Sequence, residues 1–351
     1  MTTEITQKTR RRWPIVVAAL FAFVLTIAAT AAYYIILGPN VRHKGTENID
    51  LYVPTGAVYE TVLDSLRRKG VLQIWQTFDW VAQKMNYPSH IYPGRYVLRP
   101  AMSNRELVNL LRSGRQTPIN FTIHNVRTKQ QLIELVGNKL EADTAQFARL
   151  MSDTTMSDTL GFKPDNVISI FLSDTYQFNW NTSAEQFFTR MLSEYKQFWN
   201  EERRQKADTL GLSPYEVITL AAIVEEETAK NDEMDKIARV YLNRLKIGMP
   251  LQADPTIKFA VGDFALRRIT NEHLTINSPY NTYKNAGLPP GPIRIPAKRA
   301  VEAVLNPAQH DYLYFCAKED FSGYHNFAAT YEDHLINAQK YHDALDRQNI
   351  K

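Results

Sequence analysis

Apolar residues run without a single charged side chain from Trp13 to Leu37, and mixed apolar and polar positions follow. A helix of about 20 apolar residues crosses a hydrocarbon core about 30 Å thick. The run therefore predicts a transmembrane helix over residues 13–37. Four Lys and Arg residues lie in residues 1–12, which favours a cytoplasmic tail there and export of the rest. A cleaved signal peptide is the alternative, but its apolar region is usually shorter.

Residues 45–117 contain short apolar runs, some with the spacing of a strand and some with the spacing of a helix. Strand patterns at residues 49–53 and 95–98 flank two helical patterns. A third helix is expected from the capping-box pattern that starts at Ser103, with Glu106 three residues later. The order strand, helix, helix, strand, helix predicts a compact α+β module.

The longer region, residues 118–351, has the same mixed character. A strand pattern at 119–123 and an aromatic, extended stretch at 171–178 are separated by helical patterns. A helix with a capping box and a proline in its first turn is expected from Ser213 to Lys230. The fold class predicted for the whole exported part is therefore α+β.

Composition narrows the function classes. The 351 residues are 44% hydrophobic and 22% charged, as in a folded protein of about two domains. Cys316 is the single cysteine, which excludes an internal disulfide and any CxxC pair. The net charge of +4 lies largely before the apolar run and gives no support to nucleic-acid binding. The sequence has no GxSxG, HExxH, Walker A or GxGxxG motif and no metal-ligand spacing, so we expect neither a metal nor a cofactor.

One carboxylate lies at an unusual position of the helix expected from Ser213. In that register Glu225 shares a face with Ile218 and Ala222, so it points toward the core without an adjacent cation. Burial raises the pKa of such a carboxyl, which suits a general acid. Glu226 and Glu227 are expected at the surface, paired with Lys230. A buried Glu225 satisfied by backbone or hydroxyl donors is an equal alternative at this point.

Several polar, turn-rich segments follow that helix. They cover residues 251–256, 278–283 and 287–292, and they suit the rim of a cleft as well as they suit plain turns.

Motifs in the helix expected from Ser213, and in the chain that follows it, resemble the endolytic murein transglycosylase family, which is also called YceG-like. They are Ile223-Val224-Glu225-Glu226-Glu227-Thr228-Ala229, Leu242-Asn243-Arg244-Leu245, Leu251-Gln252, Asp254-Pro255-Thr256, Ser278-Pro279-Tyr280-Asn281-Thr282-Tyr283 and Gly287-Leu288-Pro289-Pro290-Gly291. The resemblance implies a single-pass protein of the inner membrane with a periplasmic catalytic domain at 118–351 and a LysM-like subdomain at 45–117.

The same resemblance implies a reaction. Family members cut nascent peptidoglycan strands internally, between N-acetylmuramic acid and N-acetylglucosamine, and leave 1,6-anhydro ends that terminate elongation. It places the catalytic residue on Glu225, and we expect Gln252, Asp254, Asn281 and Tyr283 to bind the sugar or orient the acid. The implied partners are glycan strands, the membrane and peptidoglycan synthases.

One segment departs from the family pattern. Residues 167–169 read Val-Ile-Ser, with Ile168 where an acidic residue is usual. Two other functions are kept as alternatives: an inactive, membrane-anchored peptidoglycan-binding scaffold, and a muramidase-type hydrolase in which Asp254 assists.

Overall fold

The computed structural model describes residues 12–42, 47–153, 162–163, 165–266 and 268–348. These residues divide into two compact units. Of the described residues, unit 1 comprises those up to 119 together with 178–181, and unit 2 comprises those in 120–177 and from 182 onward. The tail expected before the apolar run lies outside the described residues up to position 11.

Helix α1 (Arg12–Leu37) contains the apolar run. Its segment Trp13–Leu37 has a mean hydropathy of 2.6 over its most apolar window, and the side chains of that window are not buried. Within the described part of the chain, α1 is the helix that is long and apolar enough by itself to cross a membrane.

Beyond α1, unit 1 has a two-stranded antiparallel sheet covered by helices. Strand β1 (Ile49–Val53) pairs with β2 (Gly94–Leu98), with Ile49 opposite Leu98. The helices are α2 (Tyr59–Arg68), α3 (Trp75–Lys84) and α4 (Asn104–Arg112). The expected capping box at Ser103 is confirmed. The core is formed by buried side chains from every element, among them Leu51, Leu66, Phe78, Tyr96 and Leu107.

The end of α1 is fastened to unit 1 by a buried polar cluster, which we call the Asn40–Asn104 cluster (Asn40, Thr77 and Asn104). Asn104 Nδ2 donates to the Ile35 carbonyl at 2.8 Å and to Thr77 Oγ1 at 3.1 Å. Asn40 Nδ2 donates to Asn104 Oδ1 at 2.6 Å, and Asn40 Oδ1 accepts from the Ile74 N–H at 2.8 Å. Ile35 and Ile36 pack against the core of unit 1. The last turn of α1 is therefore part of this unit.

Unit 2 is mostly helical, with two small sheets. Strands β3 and β4 form one sheet, and β5 pairs antiparallel with β6 in the other. In chain order its elements are β3 (Ile119–Ile123), α5 (Lys129–Lys139), α6 (Thr144–Leu150), β4 (Asp174–Phe178), α7 (Ala184–Phe198), α8 (Glu201–Thr209), α9 (Pro214–Glu227), α10 (Met234–Lys246), α11 (Asp254–Val261), α12 (Asn271–Leu274), α13 (Lys298–Leu305), β5 (Tyr314–Ala317), β6 (His325–Ala328) and α14 (Tyr331–Arg347). The mixed α+β class is as predicted.

Helix α9 is the centre of unit 2. Ser213 and Glu216 form the expected capping box, and Pro214 takes the first helical position. Every residue from Val217 to Val224 is buried. The helix ends at Glu227 because Thr228 adopts an extended conformation (φ −140°, ψ 140°), so its predicted end at Lys230 is wrong by three residues.

The segment that departs from the family pattern lies in the core. A 3₁₀ turn covers Val167–Ile170, and all four residues are buried. Ile168 is 4% exposed. An isoleucine is therefore matched to its surroundings here, whereas an unpaired acidic side chain would be costly to bury.

Candidate functional site

Three consecutive carboxylates end α9, at Glu225, Glu226 and Glu227. A helix carboxyl terminus carries partial negative charge, so acidic side chains are unfavourable there unless cations or hydrogen-bond donors compensate them. The three side chains obtain this compensation in different ways.

Glu225 is held by donors around the start of α13. Its Oε2 accepts from the Ala297 N–H at 3.0 Å and lies 3.4 Å from Arg294 Nε. Its Oε1 lies 3.3 Å from Arg299 Nη2, and the side chain is only 7% exposed. The expected inward direction is confirmed, but the expected absence of an adjacent cation is wrong. With both oxygens occupied, Glu225 is placed to join α9 to α13, and its catalytic role stays a prediction.

Glu226 is also paired with arginines. One oxygen lies 2.9 Å from Arg127 Nη1, and the other forms an ion pair with Arg294. The prediction that this residue sits at the surface with Lys230 is wrong. The register was extended past the end of the helix, where residues four apart no longer share a face.

Glu227 has a phenol as its hydrogen-bond partner. Tyr241 of α10 donates to Glu227 Oε1 at 2.5 Å. Burial raises the pKa of Glu227 from 4.5 to about 7. The Tyr241 hydrogen bond lowers the pKa, the charge of Asp254 raises it, and Arg244 and Lys258 lower it at longer range. The carboxyl can therefore hold or release a proton near neutral pH, so the expected surface pairing with Lys230 is wrong here as well.

Glu227 lines a cavity of about 940 Å³. The cavity is large enough for a ligand the size of a few sugar rings. Its lining is mainly polar and carries both signs of charge: Glu226, Glu227, Asp254, Pro255, Lys258, Arg268, Ile269, Tyr341, His342, Leu345 and Asp346. Helix α11 supplies one wall and α14 another.

Asp254 is the second carboxylate of this cavity. It is the first residue of α11, and its Oδ1 accepts from the Tyr283 hydroxyl at 2.6 Å. Burial and this hydrogen bond raise the pKa of Tyr283, so the phenol keeps its proton and remains a donor. The structure thus brings together Asp254 and Tyr283, two of the four predicted binding residues.

The other two predicted binding residues lie elsewhere. Asn281 is fully buried, and its amide donates to the carbonyls of Leu274 and Ile276 while its oxygen accepts from the Tyr283 N–H. It shapes the loop that presents Tyr283. Gln252 is exposed, has a left-handed backbone (φ 50°) and is not part of the cavity lining.

Sequence reasoning missed Glu227, Tyr241 and the contribution of α14. A signal for the first was present in Asn231-Asp232, because these residue types are typical of a helix start. A helix that begins there requires the preceding helix to end several residues earlier, which places Glu227 at a terminus. The contribution of α14 had no local signal, because it depends on tertiary packing.

Comparison with known proteins identifies the family of this chain. The sequence profile of the YceG-like family matches residues 51–340. An endolytic murein transglycosylase of Bacillus subtilis is 30% identical over 321 residues, covering 86% of this chain and 87% of the relative. One of Streptococcus pneumoniae is 29% identical and covers 82% of this chain and 57% of the relative. A crystal structure of a YceG-like protein of Listeria monocytogenes matches 83% of this chain and 98% of its own, with a TM-score of 0.55 and 29% identity. The chain belongs to the YceG-like family.

Proposed function

We propose that the chain is a membrane-anchored endolytic lytic transglycosylase that cuts peptidoglycan strands, with Glu227 as its acid and base. The observation that carries this proposal is the Glu227 carboxyl, which lines the cavity and has a pKa raised to about 7. The activity for which the relatives are named supports the substrate class.

The reaction needs one group that first gives and then takes a proton. Protonated Glu227 donates its proton to the oxygen of the bond between N-acetylmuramic acid and N-acetylglucosamine, and that bond breaks. The Glu227 carboxylate then removes the proton of the muramic acid 6-hydroxyl as its oxygen bonds to C1. The product carries a 1,6-anhydro ring, and the enzyme regains its proton. Because the nucleophile belongs to the substrate, a second protein carboxylate is not required, unlike in ordinary glycosidases.

The neighbours of Glu227 have supporting roles in this scheme. Tyr241 stabilises the carboxylate formed after the first proton transfer, because its hydroxyl already donates to Oε1. Asp254 raises the pKa of Glu227 and keeps it protonated before the reaction. The Asp254–Tyr283 pair offers polar atoms to sugar hydroxyls. Lys258 and Arg268 supply positive charge for the carboxylates of the substrate.

The location of the protein follows from α1. In this proposal α1 crosses the inner membrane with the tail in the cytoplasm, and the chain that follows α1 lies in the periplasm. Unit 1 acts as a LysM-like glycan-binding module, and peptidoglycan synthases supply the strands that are cut.

The test is mass spectrometry of the products formed from purified glycan strands by the full-length protein in detergent. We expect 1,6-anhydro ends from the wild type and none from Glu227→Gln. Glu225→Gln is the matched control, since it removes one charge from the same helix end. It should give anhydro ends at a rate that follows its remaining folded fraction. Loss of anhydro ends in folded Glu225→Gln, with anhydro ends still formed by Glu227→Gln, would instead favour the assignment to Glu225.

The same spectra separate the alternatives. Reducing ends with water incorporated would indicate a muramidase-type hydrolase, for which Asp254 is the available base. Intact strands that nevertheless bind the protein would indicate a scaffold. Either result would overturn the lytic assignment.

A further inference from the structure

We propose that one face of unit 1 rests on the phospholipid headgroup layer of the membrane that α1 crosses. This anchor-side face consists of Arg42, Ile74, Trp80, Lys84 and Arg105. The inference rests on the proposed anchoring by α1 and is independent of the catalytic assignment.

The first step is the length of the apolar span. Its 25 residues measure about 38 Å at 1.5 Å per residue, whereas the hydrocarbon core is about 30 Å thick. The excess of about 8 Å equals about five residues. With Trp13 at one interface, Tyr33 and Tyr34 reach the other, where aromatic rings are favoured. Ile35 and Ile36 then already lie at the level of the headgroups.

The second step is the attachment of unit 1 at that level. The Asn40–Asn104 cluster bonds directly to the Ile35 carbonyl, and Ile36 packs against the core of unit 1. Asn104 is 1% exposed and Asn40 is 5% exposed, so these hydrogen bonds are shielded from water. The connection is not a flexible linker. Unit 1 therefore begins inside the headgroup layer.

The third step is the surface that this attachment presents. The backbone carbonyl and N–H of Ile74 both bond to the side-chain amide of Asn40, yet the Ile74 side chain is 55% exposed. Trp80 follows Thr77 by three residues on the same side of α3 and is 48% exposed. Even if α3 ran straight away from the bilayer, Trp80 would lie only about 9 Å beyond Ile74. Isoleucine and tryptophan at this depth gain free energy by leaving water.

The fourth step is charge. Arg42 follows Asn40 by two residues, Arg105 follows Asn104 directly, and Lys84 shares the Thr77 side of α3 one turn beyond Trp80. All three are exposed cations. Basic residues near an anionic lipid surface strengthen binding to that surface. Apolar side chains flanked by cations match a headgroup layer that contains anionic phospholipid.

The test measures depth in the bilayer directly. Full-length protein with Cys316→Ser receives one new cysteine at a time, carries a nitroxide label and is placed in nanodiscs of phosphatidylethanolamine and phosphatidylglycerol. Collision of the label with oxygen, which concentrates in lipid, is compared with collision with a water-soluble nickel complex. The positions are Ile74→Cys, Trp80→Cys, Val58→Cys and Phe23→Cys.

Val58 is the matched control, because it is 58% exposed and apolar like Ile74. It precedes Tyr59, whose hydroxyl bonds to Asp79 on the other side of α3 from Thr77. We expect the oxygen-to-nickel ratios at Ile74 and Trp80 to be several-fold above that at Val58 and below that at Phe23. Ratios at Ile74 and Trp80 equal to that at Val58, with Phe23 buried in lipid, would overturn this inference alone. An aqueous signal at Phe23 would overturn the anchor and the inference together.

Discussion

Burial of Glu227 affects the stability of the fold as well as its chemistry. Its pKa is about 7 in the folded chain and 4.5 in an ordinary setting. The folded state therefore binds more protons than the unfolded state between these values, and the free energy of unfolding falls as pH rises through that window. A shift of this size corresponds to about 3 kcal/mol.

We therefore expect Glu227→Gln to be more stable than the wild type at pH 8 and nearly equal to it at pH 4. The amide cannot ionise, so the cost of burying a charge disappears. Chemical denaturation at the two pH values measures the difference. Glu225→Gln, which breaks contacts with Ala297 and two arginines, should lower the stability at pH 8. A Glu227→Gln protein that is less stable at pH 8 would contradict the proposed burial cost.

The pH dependence of activity gives a second prediction for the same residue. Glu227 must start protonated, so kcat should fall as pH rises above about 7. The Tyr241 hydrogen bond lowers the pKa of Glu227, so Tyr241→Phe should move this fall to higher pH. A pH profile of kcat for both proteins measures the shift. A shift to lower pH, or none with the fold intact, would argue against Glu227 as the acid.

At this scale the sequence singled out the segment that ends α9, and the contacts within it lead us to propose Glu227 in place of Glu225. The inward direction of Glu225 could be read from helical spacing, because Ile218 and Ala222 are both fully buried. The arginines that pair with the Glu225 carboxylate come from a segment about 70 residues later in the chain. Periodicity within one helix carries no information about such partners. Asp254 and Tyr283 were predicted because turn-rich polar segments mark loops, and a hydrogen bond joins these two side chains in the structure.

At the scale of elements, helix starts were more predictable than helix ends. Ser103, Thr128, Ser183 and Ser213 all begin helices with capping boxes, and each is visible as a local sequence pattern. The end of α9 is set differently. Thr228 leaves the helix and its hydroxyl accepts from the Lys230 N–H, so a side chain closes the turn.

A buried hydrogen-bonded pair, Glu233 and His325, joins this turn to the hairpin of β5 and β6. Glu233, which is 3% exposed, accepts from the His325 N–H at 2.9 Å and from His325 Nδ1 at 2.7 Å. Its Oε2 also lies 3.4 Å from Thr228 Oγ1. The hairpin thereby holds, through Glu233, the residue Thr228 that follows Glu227. Glu233 and His325 lie 92 positions apart, so local sequence patterns do not reveal their contact.

We expect His325→Leu to lower the free energy of unfolding by roughly 2 kcal/mol, because it leaves a buried carboxylate oxygen without its donor. Denaturant titration measures the loss. His325→Gln is the control, since its amide can still donate to Glu233 and should retain part of the stability. Equal losses in the two variants would mean that ring packing, and not the hydrogen bond, is what matters.

At the scale of the whole molecule, the polar cluster joins the last turn of α1 and the residues directly after it to the core of unit 1. A version that lacks residues 1–34 keeps Ile35, Asn40 and Val41, whereas one that lacks residues 1–41 loses them. We expect the shorter version to be less stable by roughly 3 kcal/mol, since it loses several buried hydrogen bonds and the buried Val41 side chain. Thermal denaturation of the two versions provides the comparison. Identical melting temperatures would show that the cluster does not stabilise unit 1.

The burial of α9 restricts how the site can adapt. Because residues 217–224 are all buried, the helix that carries Glu227 cannot shift toward an approaching strand. In the proposed function the strand must therefore bend to reach the Glu227 proton, and the adjustable surfaces are those of α11 and α14. Preferences for particular strands among relatives should therefore be encoded in these two helices. Exchanging them between relatives should carry the preference across while the cutting chemistry stays the same.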